Sequence, residues 1–361
     1  MFFSTTAGNE RKRMETGMKE ILVLMPLPDE DCLRLRRAAP SARFTFTKGE
    51  RVAEETLERA DVILGNLPPE LLPQAKRLKW LQLNSAGADP YLVPGVLPAG
   101  VTLTSATGAY GPAVAEHMLA VTLSLLKKLP LYRDNQNQRL WRDEGPVKGI
   151  AGSLFLIVGF GDIGRTYGRM AHVLGGRVIG VRRRTGEAPD FAERVVPLEE
   201  LDAWLPRADV TALFLPGGAQ TAGLFSADRL ARMKRGSLLL NGGRGGAVDT
   251  QALAAALESG RLGGAGLDVT DPEPLPPEHP LWKQKNAVIT PHVAGWYHME
   301  ETVRRLVDIC CANLRRYEEG EPLGNVVDFA TGCAMRDWEN GRTGCWYSER
   351  PAPPLEGESI S

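Results

Sequence analysis

Three short segments each set a chemically distinct group at the end of a strand-like apolar run. Asn241-Gly242-Gly243-Arg244-Gly245-Gly246 carries a guanidinium. Leu267-Asp268-Val269-Thr270-Asp271-Pro272-Glu273-Pro274 carries carboxylates, and Thr290-Pro291-His292-Val293-Ala294-Gly295 an imidazole. A guanidinium presents a planar fork that matches a carboxylate and can polarise an adjacent ketone. An imidazole titrates near neutral pH, so His292 can hand a proton to a carbonyl oxygen and take one back in the reverse direction. Glu273 would hydrogen-bond the other ring nitrogen and hold the tautomer. Arg244, Glu273 and His292 together suit the reduction of a 2-oxo acid by a hydride donor.

A fourth segment offers a seat for that donor. Gly159-Phe160-Gly161-Asp162-Ile163-Gly164 lies between the apolar run Leu154–Val158 and a helix-forming stretch from Ile163 to Leu174. In that context Gly159 permits a tight turn, Gly161 lets the backbone approach a pyrophosphate, and Gly164 allows close helix–strand packing. The residue that reads the adenosine ribose follows about 20 residues on, at the end of the second strand. An acid there holds a 2′-hydroxyl, but this chain has Arg182-Arg183-Arg184 and no acid until Glu187. Guanidinium groups suit a 2′-phosphate, which favours NADP(H), with NAD(H) left open.

The elements that must position these groups alternate along the chain. Ile21–Met25, Arg43–Phe46, Val62–Leu64, Trp80–Leu83 and Val101–Thr104 read as five buried strands. A second series, Leu154–Val158, Val178–Val181, Val210–Leu215, Ser237–Leu240, Gly264–Leu267 and Ala287–Ile289, outlines a six-strand doubly wound sheet. A long helix should start near Gly111-Pro112 and run to about Lys127, apolar on more than one face and therefore wanting burial on both sides. A last helix, about Met299 to Tyr317, carries Val303, Leu306, Val307, Cys310 and Leu314 on one stripe. His117, His172, His279 and His298 read as packing or surface residues.

The chain resembles the D-isomer-specific 2-hydroxyacid dehydrogenase family over roughly residues 19–332. The resemblance rests on the glycine fingerprint, on Gly243-Arg244-Gly245-Gly246, on Asp268 with Glu273, and on Pro291-His292-Val293-Ala294-Gly295. Tyr110-Gly111-Pro112-Ala113-Val114-Ala115-Glu116-His117 and Glu321–Asp328 match as well. It implies an α/β protein of two doubly wound parallel-sheet domains, a Rossmann NAD(P)-binding domain (109–296) inserted in a flavodoxin-like substrate domain (19–108 and 297–332). Residues 1–18 and 333–361 are left as disordered extensions.

By the same resemblance Ser85, Ala86 and Gly87 hold the substrate carboxylate through backbone N–H groups. Pro216, Gly243 and Asp268 lie at the cofactor, with Asp268 positioning cofactor or His292 rather than exchanging protons. A homodimer built around the helix at Pro112 is implied, with Trp141 reaching a neighbouring subunit's site. Gly242-Gly243 stands where the family has bulkier residues, a change expected to add room or mobility beside the cofactor. Glyoxylate and hydroxypyruvate are the expected substrates. A dinucleotide-sensing co-repressor and a phosphoglycerate-type dehydrogenase are the alternatives.

Composition narrows the classes. The 361 residues are 43 % apolar and 24 % charged, ordinary for one or two globular domains. A net charge of −1 with no long basic block does not favour nucleic acid or membrane surfaces. The five cysteines form no C-x-x-C pair, which reads as reduced thiols in a cytoplasmic protein and no zinc site. Met1-Phe2-Phe3-Ser4 is followed by polar residues rather than an apolar signal core, so secretion is not expected, and Met18 offers an alternative start.

Overall fold

The computed structural model describes residues 18–47, 51–183 and 186–335. Residues 1–17 of the expected extension, Arg184, and the expected tail from 336 onward, with Cys345, lie outside the described residues.

Wholly apolar runs such as Val62–Leu64 and Leu154–Val158 need burial on both faces, which parallel sheets wrapped by helices supply. β1 (Glu20–Val23), β2 (Arg43–Phe46), β3 (Val62–Leu64), β4 (Trp80–Gln82) and β5 (Thr102–Thr104) pair in parallel in the spatial order β5-β4-β3-β1-β2. That is the flavodoxin-like arrangement.

The chain then builds a second sheet. β6 (Leu154–Val158), β7 (Arg177–Val181), β8 (Arg194–Val196), β9 (Val210–Leu213), β10 (Leu238–Asn241), β11 (Gly264–Leu267) and β12 (Ala287–Ile289) lie in the order β8-β7-β6-β9-β10-β11-β12. All its pairs are parallel, the order of a dinucleotide-binding sheet extended by one strand. β13 (Val326–Asp328) and β14 (Cys333–Met335) return to the first sheet beside β5, so the second sheet is an insertion in the first.

Three strands differ from the sequence reading. β8 was invisible because Arg194 is exposed and only Val196 is fully buried, leaving no apolar run. β13 and β14 are antiparallel, so the first sheet is not purely parallel. β14 lies inside the segment read as a disordered tail. It is folded back by a turn in which the Asp328 carbonyl accepts from Gly332 N–H at 2.8 Å and its carboxylate from Ala330 N–H at 2.9 Å.

The long helix spans Gly111–Leu126 and is buried along most of its surface. It lies over β10 and β11 and along the helix Asp162–Val173. Gly266 in β11 makes that approach possible, since a Cβ there would meet Val121 at 2.4 Å. The last helix, Glu300–Glu319, buries Leu306, Val307, Cys310, Cys311 and Leu314 beside the helix Asp29–Ala38. Each fully buried Leu or Val contributes about 1.5–3 kcal/mol, so these interfaces fix how the loops at the strand ends are presented.

Candidate active site

The loops that follow the carboxyl ends of both sheets converge, the usual location of a ligand crevice in open α/β sheets. Gly159 ends β6 at φ 92°, where a Cβ would lie 2.5 Å from the Phe214 carbonyl oxygen. A Cβ on Gly164 would meet the Gly159 carbonyl at 2.4 Å, whereas Gly161 has open space above it. Phe160 is buried against Gly180 and Phe191, and Asp162 and Ile163 open the first turn of the helix Asp162–Val173. Pro216 follows β9 on the other side of the crevice, its carbonyl accepting from Thr221 at 2.8 Å.

This cradle fits a dinucleotide: close packing where glycine is needed, open backbone at Gly161, and a helix N-terminus aimed at the opening. Past the end of β7, the Arg182 Nε is buried with no hydrogen-bond partner among the described residues. Arg183 is exposed and reaches Gln220 at 3.4 Å.

Arg244 is presented by a tight turn after β10. The buried Asn241 side chain fixes it, donating to the Arg244 carbonyl at 3.0 Å and accepting from Gly243 N–H at 3.1 Å. Gly242 and Gly243 do not add room, contrary to the sequence expectation. A Cβ on Gly243 would lie 2.6 Å from Leu215 N, and one on Gly242 would press on Met118 and Phe214, so the pair lets two loops pack directly.

The Arg244 guanidinium crosses to the other domain. Its Nε and Nη2 both donate to Asp89 Oδ2, at 3.1 and 3.0 Å, and Nη1 donates to the Gly243 carbonyl at 3.0 Å. One N–H on each terminal nitrogen is left over. Gly87 lies directly beneath, because a Cβ there would fall 1.6 Å from Nη2. Asp89 also crowds Gly217, where a Cβ would lie 2.2 Å from Oδ1. With both partners over a third exposed, the ion pair is worth about 0–1 kcal/mol, enough to orient Arg244 and weak enough to adjust to an incoming anion.

His292 and Glu273 come together across 19 residues of chain, with Nδ1 and Oε1 2.6 Å apart. A carboxylate accepts, so Nδ1 carries the hydrogen and Nε2 is left outside this pair. His292 adopts φ 54°, a left-handed conformation that costs a side-chain-bearing residue about 1–2 kcal/mol.

Asp268 holds that strained turn. Its carbonyl accepts from His292 N–H at 2.8 Å, and its buried carboxylate accepts from Val293 and Ala294 N–H at 3.0 Å each and from the Thr290 hydroxyl at 2.6 Å. Sequence reading missed one member of this network. His117, read as packing or surface, places Nε2 3.0 Å from the Thr290 hydroxyl.

The loop Ser85–Gly87 follows β4. Among the described residues its three N–H groups donate to no protein acceptor, while Ser85 Oγ donates to the Gly87 carbonyl at 2.6 Å. Asn84 anchors the loop. It exchanges hydrogen bonds with Asn66 at 2.8 and 3.0 Å and reaches Tyr110 and Tyr297. Burial pushes both tyrosine pKa values up, so each stays a neutral hydroxyl. Trp141 is fully exposed and lies away from this crevice, in a groove of about 620 Å³ with Tyr132, Asn135 and Arg142. Among the described residues no group of three or more His, Cys, Asp or Glu is arranged to hold a metal ion. No helix there is long and apolar enough to cross a membrane.

Residues 119–294 match the family model described as D-isomer specific 2-hydroxyacid dehydrogenase, NAD binding domain. A glyoxylate/hydroxypyruvate reductase B of Erwinia tasmaniensis is 32 % identical over 295 residues, 78 % of this chain and 91 % of that protein. The crystal structure of a D-isomer specific 2-hydroxyacid dehydrogenase family protein from Aeromonas salmonicida superposes with a TM-score of 0.77 at 34 % identity, covering 87 % of this chain and 100 % of that one. An NADPH-dependent glyoxylate/hydroxypyruvate reductase from Sinorhizobium meliloti, solved with NADP and sulfate, gives a TM-score of 0.74 at 28 % identity over 87 % of this chain and 99 % of its own.

Proposed function

Because the chain belongs to the D-isomer specific 2-hydroxyacid dehydrogenases, NAD(P)-dependent oxidoreductases acting on CH–OH groups, we propose that it reduces glyoxylate to glycolate or hydroxypyruvate to D-glycerate. The observation that carries this reading is the His292–Glu273 hydrogen bond, together with an arginine seated on Gly87 of the Ser85–Gly87 loop. The spare N–H bonds of Arg244 and the unengaged loop amides take the substrate carboxylate, which sets the ketone before His292. When bound, the nicotinamide cofactor would supply the hydride, and Gly159–Gly164, Pro216 and Gly243 would hold the dinucleotide. As the carbonyl carbon is reduced, its oxygen takes the proton from His292 Nε2, while Glu273 keeps the ring oriented and offsets its charge in the protonated state. Asp268 exchanges no proton in this scheme; it holds the His292 turn.

The cofactor is NADP(H) in this proposal. Supporting it are the Arg182 Nε, without a hydrogen-bond partner among the described residues, the exposed Arg183 and the absence of an acid at the end of β7. Residues 19–108 and 297–332 form the substrate domain and 109–296 the cofactor domain, consistent with the insertion of one sheet in the other. The working unit is a homodimer, supported by the exposed Leu129, Leu140 and Trp141 that follow the long helix. The buried thiols of Cys310 and Cys311, neither of them in a disulfide, suit a cytoplasmic protein. The test follows nicotinamide absorbance with glyoxylate or hydroxypyruvate and either NADPH or NADH. Faster turnover with NADPH is expected. Preference for NADH removes the role given to Arg182 and Arg183, and dinucleotide binding without turnover of any 2-oxo acid removes the reductase reading.

A further inference from the structure

His117 lies on the long helix Gly111–Leu126, and its partners settle its chemistry. Thr290 has one hydroxyl hydrogen. Its oxygen lies 2.6 Å from Asp268 Oδ1 and 3.0 Å from His117 Nε2. The Asp268 carboxylate, already taking two backbone N–H groups, can only accept, so Thr290 donates to it. Thr290 must then accept from His117, which fixes His117 with hydrogen on Nε2. The chain of bonds runs His117 to Thr290 to Asp268, and Asp268 grips the N–H groups of His292, Val293 and Ala294.

We infer that His117 is a positioning residue. Through Thr290 it fixes the Asp268 carboxylate and thereby the left-handed turn that aims His292 at the ketone. This rests on the reading of His292 as proton donor. Helix packing does not require a histidine here: the side chain is about a quarter exposed, and the buried contacts of the helix come from Val114, Ala115, Met118 and Val121. A turn held against its own backbone preference depends on every bond that restrains Asp268, and a small displacement of a reacting group is costly in rate.

The experiment compares His117→Phe, which keeps a ring and loses the donor, with His117→Gln, whose amide nitrogen can reach Thr290, and with Thr290→Val. For each, kcat and KM for hydroxypyruvate, NADPH Kd by fluorescence and Tm are measured. The expected result is a loss of about tenfold in kcat for His117→Phe, with KM and NADPH Kd within about twofold, the size expected when one restraining hydrogen bond goes. His117→Gln should recover most of that loss. Thr290→Val should lose a similar amount, and adding His117→Phe to it should cost little more, because the hydrogen bond is already gone and only the 3.9 Å approach of His117 Nε2 to Asp268 Oδ1 remains.

Wild-type kcat in His117→Phe, equal losses in the Phe and Gln variants, or additive losses in the double variant would each overturn the inference. If His117→Phe does not fold, His117→Gln against Thr290→Val decides it: both crippled refutes the relay, and only the valine variant crippled supports it. His292→Gln in parallel separates the two readings. Turnover surviving there refutes the donor assignment, whereas an inactive His292→Gln beside an unaffected His117→Phe refutes the relay alone.

Discussion

Gly87→Ala puts the proposed anchoring of the substrate to a quantitative test. The new methyl carbon would lie 1.6 Å from Nη2 and 2.9 Å from Cζ of Arg244, and 3.0 Å from Asp89 Oδ2. Ordinary contact lies near 3.5 Å, so the guanidinium must retreat by about 2 Å. It can do so without unfolding the protein, because Gly87 has no positive φ and Arg244 is a flexible, partly exposed side chain. The ion pair given up is worth at most about 1 kcal/mol, so Tm should move by only a few degrees.

Catalysis is less forgiving. Misplacing a positioning group by about 1 Å can cost about 100-fold, so kcat/KM for the 2-oxo acid should fall by at least that factor, about 2.7 kcal/mol. NADPH affinity should barely change, since the glycine cradle is untouched. Steady-state kinetics, NADPH titration and a melting curve on one preparation make the comparison. A kcat/KM within about threefold of wild type at unchanged Tm would refute the placement of the substrate over Gly87.

Two further outcomes follow from the same geometry. Arg244→Ala should lower kcat/KM for the 2-oxo acid by about 100- to 1000-fold with little change in NADPH Kd; unchanged substrate kinetics would exclude Arg244 as the carboxylate clamp. Asp209 ties β6 to the rest of its domain, accepting from Leu154 N–H at 3.0 Å and Lys234 at 2.6 Å. Burial alone would push its carboxyl up, but the Lys234 bond, the Leu154 amide and nearby lysine charge together hold it below the usual range. Its stabilising effect is therefore present above the unfolded value of about 3.9 and lost as pH falls through the lower folded value. The Tm gap between wild type and Asp209→Asn should persist at neutral pH and shrink in acid below about pH 4; a gap constant into strong acid contradicts this.

Much of this architecture was legible in the sequence, and the exceptions share a cause. β6 announced itself as five apolar residues before a glycine fingerprint, and Arg43–Phe46, Gly264–Leu267 and Ala287–Ile289 have the bounds read from pattern alone. β8 and β13 each set a charged residue, Arg194 or Asp328, beside two valines, so neither shows the wholly apolar run that marks the equally short Val62–Leu64 and Ala287–Ile289. Glu273 and His292 stand at the ends of adjacent strands, and chain order brings them forward as a pair.

Asp89 gave no such signal. Its partner Arg244 is 155 residues away and the contact exists only where the two domains meet. His117 likewise looks like any polar residue on a helix until Thr290, 173 residues later, arrives beside it. Gly242 and Gly243 were read as added freedom because sequence shows the missing side chains and not the Leu215 backbone that occupies their place. Local pattern reports what a residue is, and long-range approach decides what it touches.

The most direct test of the central claim is kcat with hydroxypyruvate and NADPH Kd on the same His292→Ala preparation. If His292 supplies the proton while the glycine cradle and Arg182 hold the dinucleotide, turnover should fall by about 100- to 10,000-fold and NADPH should bind nearly as it does to wild type. Turnover that survives, or cofactor affinity that collapses in step with it, would contradict the account.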